Sequence, residues 1–405
     1  MNFRQNGIEE VEMKRQLSLF EDVRLRLDDS IELSLNSLRE YGRRYAHWAV
    51  AYSGGKDSSA TATFVAWAVN TGQVDPPESL TVLYANTRLE LVPLQRTAMR
   101  LMDDLRGDGF QTKVVLPEMD SRFLVYMLGY GVPPSSNTFR WCTPKVKVEP
   151  MYAALAELRK ERGQKFLMLT GVRMGESEAR DRRIAFSCSR DSGECGQGWF
   201  QVATPESVAD TLAPLLHWRL CHVYDWVYFD PHGHGYDVHG IADVYGDGEV
   251  RTGCVGCPLA SRDVALERLV QQPDWEYLRP LLELKPLWRE LKKPRWRKRK
   301  IEPEMRKDGQ WGKNVQRMGP LTMEGRQYGL ERVISIEGGV NMRATLEDRP
   351  LISLIDEEEK TRIREMWELD MWPRKWSADD ANATEPIDAL SLTNDGRIVR
   401  QALLV

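Results

Sequence analysis

The 405 residues contain no apolar run of about 18 residues, which excludes a membrane-spanning helix and leaves no expected membrane partner. The first residues, MNFRQNGIEEVEMKRQ, have no apolar core of the kind a secretory leader needs, so a cytoplasmic location is expected. The net charge is only −4, and overall charge does not advertise nucleic-acid binding. No internal repeat occurs, so a solenoid is not expected. Cysteine is scarce at six residues, better read as thiols or metal ligands than as disulfides in a cytoplasmic chain. Histidine is equally scarce: His217 shows no ligand spacing, and His232, His234 and His239 read as a polar loop. Two familiar phosphate loops are also missing. The spacing around Gly55-Lys56 is not that of a Walker A loop, nor is it the Gly-x-Gly-x-x-Gly dinucleotide turn.

What is present is a core-forming composition, 42% hydrophobic, arranged as alternating strands and helices. Residues 1–18 are polar, and Leu27, Ile31, Leu35 and Leu38 then recur at helical spacing over 19–46. Strands are expected at 47–52, 80–84, 111–116 and 165–170, and helices at 60–70, 91–104 and 151–160. Pro93 falls near a helix start, where proline is tolerated. This order predicts an α/β fold, a doubly wound and mostly parallel sheet, whose ligands bind at the carboxyl ends of the strands. Residues 182–198 and 233–248 read as loops, 211–229 as helix-like, and the chain beyond 260 as helical and charged. Residues 376–405 read as a tail or small appendage.

The densest chemistry lies at Ser53-Gly54-Gly55-Lys56-Asp57-Ser58-Ser59, between the first strand and its helix. Two glycines allow a tight turn whose N–H groups approach an anion. The new helix adds its positive end, the serines add hydroxyl donors, and Lys56 adds a charge. After the second strand comes Tyr84-Ala-Asn-Thr87-Arg-Leu-Glu90, which read alone is a polar strand-end turn. After the fourth comes Gly171-Val-Arg173-Met-Gly-Glu176-Ser-Glu-Ala-Arg180. Arg173 and Arg180 are candidate forked donors to phosphate or sulfate oxygens, with Glu176 orienting them; Glu176 and Arg180 could also form a plain helical pair.

The cysteines stand as Arg140-Trp-Cys142, Cys188 and Cys195 in a Ser/Gly-rich stretch, Cys221, and Cys254-Val-Gly-Cys257-Pro. Two thiols three apart with distant partners suit zinc or an iron–sulfur cluster, while the pair alone could also stand without metal. Cys221, in a helix-like segment, reads as structural. Lys292–Lys300 is Lys or Arg at every position but Pro294 and Trp296. Such a run can neutralise phosphates while Trp296 stacks on a base, or it can be a solvated helix end.

Ser-Gly-Gly-Lys-Asp-Ser resembles the PP-loop of the ATP pyrophosphatase superfamily, and Gly-x-Arg-x-x-Glu-Ser with Gly-Cys-x-x-Cys-Pro resembles the phosphoadenylylsulfate reductases within it. Three features resemble the DNA phosphorothioation branch, DndC and SspD: the length, the Met318-Gly-Pro-Leu-Thr-Met-Glu-Gly segment, and the lack of a C-terminal Glu-Cys-Gly nucleophile. The resemblance implies an adenine-nucleotide alpha hydrolase-like domain over 46–260, an N-terminal helical extension over 1–45, a helical basic region over 261–375 and a tail over 376–405. It implies ATP and Mg²⁺ on Ser53, Gly54, Gly55, Lys56, Asp57, Ser58 and Ser59. Thr87, Glu90, Gly171, Arg173, Glu176 and Arg180 would complete the nucleotide site. Lys56, Asp57 and Arg173 are the expected catalytic set.

The resemblance further implies a [4Fe–4S] cluster on Cys142, Cys195, Cys254 and Cys257, with Cys188 competing for the Cys195 place. The implied activity is cleavage of ATP to AMP and pyrophosphate, activating a DNA backbone phosphate for sulfur insertion. The implied partners are DNA, a cysteine desulfurase as sulfur donor, and other phosphorothioation proteins. A sulfonucleotide reductase and a non-catalytic, cluster-bearing DNA scaffold are the alternatives.

Overall fold

The computed structural model describes residues 25–176, 178, 181–182, 184, 193–194, 199–201, 207–229, 236, 238, 240–246, 252–305, 309–312, 314–393 and 397–401. Helix α1 (Leu27–Ser37) leads into β1 (His47–Tyr52), α2 (Lys56–Asn70), β2 (Ser79–Ala85), α3 (Val92–Gly107) and β3 (Gln111–Val115). After a stretch of short turns come α4 (Glu149–Arg162), β4 (Phe166–Leu169), β5 (Gly193–Glu194), β6 (Trp199–Gln201) and β7 (Ala209–Ala213). Among the described residues these seven strands form one sheet in the order β3-β2-β1-β4-β7-β6-β5. The β3-β2-β1-β4-β7 part is parallel, and β6 and β5 add an antiparallel edge.

The strand order is the physical consequence of short right-handed crossovers on a twisted sheet. The chain moves outward from β1 through β2 to β3, then returns to pair β4 on the other side of β1. The gap between the β1 and β4 crossovers is the topological switch point, where strand ends diverge and leave a crevice. Side chains alternate across β1: Trp48, Val50 and Tyr52 enter the large core beneath α2 and α3, and Ala49 enters the smaller one beneath α4. Helices therefore cover both faces, as the sequence pattern predicts.

Two segments differ from their sequence reading. Residues 209–213 are a strand, not the start of a helix, because pairing with β4 buries Leu212 and outweighs the helical spacing. Buried Asp210 is held there by Tyr45 (2.6 Å) and Lys165 (2.6 Å). Residues 240–245 are a helix, not a loop. Its first residue, Gly240, packs so tightly on α3 that a Cβ would lie 2.1 Å from Thr97 Oγ1. A glycine that looks like loop punctuation is serving close helix packing.

Helices α5 (Leu220–Tyr224), α6 (Gly240–Tyr245), α7 (Val264–Leu269) and α8 (Leu284–Leu291) follow, then β8 (Arg297–Arg299) and β9 (Met318–Leu321). Helices α9 (Met323–Leu346) and α10 (Glu357–Glu368) precede β10 (Ala381–Asn382), β11 (Ala389–Leu392) and β12 (Ile398–Gln401). The C-terminal region shares the main core: Leu330, Val333, Ile336, Ile363 and Met366 are buried in the cluster that contains Val50 and Val82. The N-terminal helix is stitched in too, since Ser34 donates to the Pro214 carbonyl (2.9 Å) and Trp218 Nε1 donates to Ser34 Oγ (2.9 Å). In the 376–405 segment, β10 pairs with β8 and completes a three-stranded sheet, while β11 and β12 form a hairpin. No helix among the described residues is long and apolar enough to cross a membrane.

Candidate functional site

Strand β1 ends at Tyr52, and the chain turns through Gly54 at φ +75°, a left-handed conformation that glycine adopts without strain. Gly55 then caps α2 without a side-chain bond of its own, and the Tyr245 hydroxyl meets the first amide of the helix, that of Lys56. Ser58 closes the turn on itself. Its Oγ donates to the Gly55 carbonyl (3.0 Å), accepts from Ser53 N–H (3.2 Å) and meets Ser53 Oγ at 3.1 Å. Ser59 faces inward and donates to Tyr52 Oη (3.3 Å). The result is a turn pre-shaped around an anion-sized concavity at the positive end of a 15-residue helix.

Asp57 organises the charges. One carboxylate oxygen accepts from Lys56 Nζ at 2.9 Å and the other from Arg173 Nε at 2.5 Å. Arg173 is 5% exposed and donates a second bond, from Nη1, to the Trp218 carbonyl (3.1 Å). Arg173 therefore reaches the site through Asp57. Its backbone N–H points to Glu176 Oε2 (3.4 Å). Gly171 is required by proximity, because a Cβ there would sit 2.9 Å from the Asp57 carbonyl carbon and 3.0 Å from Ser58 N. The segment after β4 thus lies directly against the first turn of α2, at the switch point between the two crossovers.

A cavity of about 530 Å³ opens here, lined by Ser53, Lys56, Asp57, Ser58, Gly171 and Glu176 together with Lys147, Tyr245 and Thr252. That volume suits a nucleotide, and the donor set suits its phosphates. Lys147, Tyr245 and Thr252 are polar lining residues outside the nucleotide set expected from sequence. Lys56 Nζ lies 4.9 Å from the centroid of the Tyr245 ring, a cation–π contact, and Tyr245 and Thr252 hydroxyls hydrogen-bond each other. Burial pushes the Tyr245 phenol up to about 12, keeping it neutral. Tyr245 ends α6, which the sequence presents as loop, so no periodicity pointed to it. Lys147 follows Cys142 by five positions, a visible signal without a visible role.

Thr87 and Glu90 do not line that cavity. Thr87 donates its N–H (3.0 Å) and hydroxyl (2.6 Å) to Glu90 Oε1, and its Oγ1 lies 3.9 Å from Cys254 Sγ. Glu90, Cys254, Lys147 and Ser53 instead border a narrow crevice of about 80 Å³ beside the loop. The cysteine turn is thus placed next to the phosphate loop. It is anchored by Val255 N–H to the Leu89 carbonyl (2.6 Å), Gly256 N–H to Asp263 Oδ2 (2.8 Å) and Lys285 Nζ to the Cys257 carbonyl (2.8 Å).

Cys142, Cys254 and Cys257 are half-buried free thiols, and Cys221 is exposed. Burial pushes the Cys254 thiol up to about 11. Among the described residues no group of three His, Cys, Asp or Glu side chains could hold a metal. The pair Cys254–Cys257 shares one turn, but the described residues do not assemble a cluster-binding set. Cys188, Cys195 and Arg180 lie outside the described residues.

The basic run is spent internally. Lys292 donates to the Ser135 carbonyl (2.8 Å), Lys293 and Arg295 pair with Glu290, and Lys298 donates to the Ala378 and Asp380 carbonyls (2.9 and 2.8 Å). Lys300 pairs with Asp380 at 2.7 Å. Hydrogen bonds from Lys293, Trp296 and Arg295 hold Glu290 down at about 2. Trp296 is stacked on Tyr328 with centroids 4.8 Å apart, so its face is occupied by protein. Within the run, Arg297–Arg299 are a strand of the C-terminal sheet, Lys292 caps the end of α8, and Lys293 and Arg295 stay largely exposed beside Glu290.

No curated protein matches the sequence. Two similar solved structures are a phosphoadenylyl-sulfate reductase from Candida auris, a phosphate complex, and the U34-tRNA thiolase NcsA from Methanococcus maripaludis with its [4Fe-4S] cluster. The first is 13% identical, covers 51% of this chain and 88% of its own, with a TM-score of 0.31. The second is 15% identical, covers 66% and 83%, also with a TM-score of 0.31. The phosphoadenosine phosphosulfate reductase domain model matches residues 47–260, a span that runs from the first residue of β1 past the Cys254–Cys257 turn. Covering just over half of the sequence, that match shows that the chain belongs to the phosphoadenosine phosphosulfate reductase domain family.

Proposed function

We propose that this chain is an ATP pyrophosphatase that activates a DNA backbone phosphate for sulfur incorporation. The observation that supports it best is the Lys56–Asp57–Arg173 bridge at the glycine-capped N-terminus of α2. ATP would lie with its phosphates on Ser53–Ser59. A DNA phosphate oxygen attacks the α-phosphorus, the bond to the β,γ-unit breaks, and pyrophosphate leaves with the bonding pair. Lys56 and the loop amides stabilise the charge on the leaving group, and Asp57 holds Lys56 in place. A sulfur nucleophile then displaces AMP from the adenylated phosphate. Positioning and charge neutralisation carry the rate.

Magnesium would supply further charge neutralisation at the phosphates. Cys142, Cys195, Cys254 and Cys257 would be the residues to hold a [4Fe–4S] cluster, and a cysteine desulfurase and other phosphorothioation proteins would be the partners. The second reading, a sulfonucleotide reductase, is favoured by the family match itself. Pyrophosphate exchange separates the two. In the adenylating enzyme, labelled pyrophosphate enters ATP only when DNA is present, and Lys56→Ala abolishes it. DNA-independent behaviour, with sulfite released from phosphoadenylylsulfate in the presence of a thiol reductant, would establish the reductase instead.

A further inference from the structure

A second cavity, of about 560 Å³, lies on the far side of the Leu89–Val255 contact and shares no lining residue with the phosphate-loop cavity. One wall is the loop after β2, another the face of α3 that carries Gln95, Arg96, Met99 and Arg100. The third wall is Pro350–Leu354, which lies beyond the family-matched span. This wall is preformed: Asn341 exchanges two hydrogen bonds with Ile352 (3.0 and 2.9 Å), and Glu337 accepts from Leu354 N–H (2.6 Å).

The chemistry of the walls is specific. Apolar surface comes from Leu89, Met99, Val255 and Ile352, enough to hold a planar ring. Three guanidinium groups surround it. Arg88, held at φ +63°, pairs with Asp356 at 2.6 Å, and Arg96 lies 5.4 Å from the centroid of Trp275. Arg100 is exposed at the rim. Glu90 Oε2, an acceptor on a lining residue, is buried without a hydrogen-bond partner, while Arg88 Nε faces the Glu359 carboxylate at 3.6 Å. Orphaned buried polar atoms are uncommon in folded proteins and carry a desolvation cost. A ligand that answers Glu90 must bring a donor on an apolar body.

We propose that this cavity is a second nucleotide site, taking a nucleoside 5′-phosphate, free or within a strand. The phosphate meets Arg96 and Arg100, with the Asn86 and Gln95 amides beside them. The ring packs on Met99, Val255 and Ile352, and a sugar hydroxyl or base amine donates to Glu90 Oε2. Its position next to the Cys254–Cys257 turn makes it a place for the phosphate-bearing partner of the reaction. The site stands without the ATP reading, because it uses none of the phosphate-loop residues.

The test is calorimetric titration of the full chain with two probes, deoxycytidine 5′-monophosphate and a 5′-phosphorylated deoxycytidine tetranucleotide. ATP is titrated separately. The variants are Lys56→Ala, Arg100→Glu and Leu351→Trp; the last fills the cavity from an exposed position. At least one probe binds the wild type, and Lys56→Ala leaves its affinity within about twofold. Arg100→Glu and Leu351→Trp each weaken it by about tenfold or more, while ATP affinity stays unchanged in both. Equal affinity for both probes identifies a free nucleotide, and binding of the tetranucleotide alone identifies a strand. Loss of probe binding in Lys56→Ala, undiminished binding in Leu351→Trp and Arg100→Glu, or no binding of either probe at millimolar concentration would overturn the proposal.

Discussion

Arg173 and Asp57, 116 positions apart in the sequence, meet at 2.5 Å through Nε and Oδ1, and the other oxygen of the same carboxylate holds Lys56. A buried cation from the β4 crossover and a mostly buried cation from the β1 crossover thus share one counter-charge. Removing it leaves Arg173, 5% exposed, without its partner. Asp57→Asn is expected to cost about 3 kcal/mol of stability and to lower turnover by about a hundredfold. Urea unfolding and steady-state kinetics measure the two effects. An unaltered unfolding midpoint would show that the bridge does not hold the crossovers together.

Gly171→Ala forces a methyl group to within 2.9 Å of the Asp57 carbonyl carbon, a backbone atom that cannot rotate away. Overpacking of this kind costs about 1–3 kcal/mol. The damage should concentrate on ATP affinity, because the displaced atoms are those of the first turn of α2. A variant binding ATP as tightly as wild type would contradict the required close approach.

Tyr245→Phe keeps the ring beside Lys56 and loses the hydroxyl bond to Thr252. A loss of about 1 kcal/mol of stability is expected, with a small rise in KM for ATP. Tyr245→Ala, which also removes the cation–π contact, should raise KM further and lower kcat. Equal effects of the two substitutions would assign the whole role to the hydroxyl.

His222 packs against α1, with Nδ1 facing Ser30 Oγ at 3.2 Å, and burial holds its pKa below the usual 6.5. The folded protein therefore resists protonation that the unfolded chain accepts. Stability is fully present above pH 6.5 and falls as the pH drops through the window between 6.5 and the lower folded value. The decline should be absent in His222→Gln, as measured by urea unfolding between pH 7 and pH 5 in the two proteins.

Trp296 packs on Tyr328 and donates from Nε1 to Glu290 at 2.8 Å. Trp296→Ala is expected to lower stability by about 2–4 kcal/mol, as measured by urea unfolding. Unchanged stability would show that the ring is not held by its packing on Tyr328.

The glycine turn between β1 and α2 is legible because its chemistry is contiguous: seven successive residues carry the glycines, hydroxyls and cation at one strand–helix junction. The parallel sheet was legible for the same kind of reason, as apolar strands and amphipathic helices differ in period. What escaped depends on contacts distant in sequence. Tyr245 enters the site because Gly240 lets α6 press on α3, and no local pattern encodes that packing. The charges of Lys298 and Lys300 looked available because their partners, the Ala378 and Asp380 carbonyls and the Asp380 carboxylate, lie about 80 positions later. Thr87 and Glu90, expected in the nucleotide site, are instead bonded to each other beside Cys254, a placement only the fold determines.

The most direct test of the central claim is the identity of the phosphate products. The full chain, purified without oxygen, is incubated with ATP, Mg²⁺, DNA and a sulfur donor, alongside Lys56→Ala. The account predicts AMP and pyrophosphate from the wild type and neither from the variant. ADP and orthophosphate, or equal pyrophosphate release by Lys56→Ala, would contradict it.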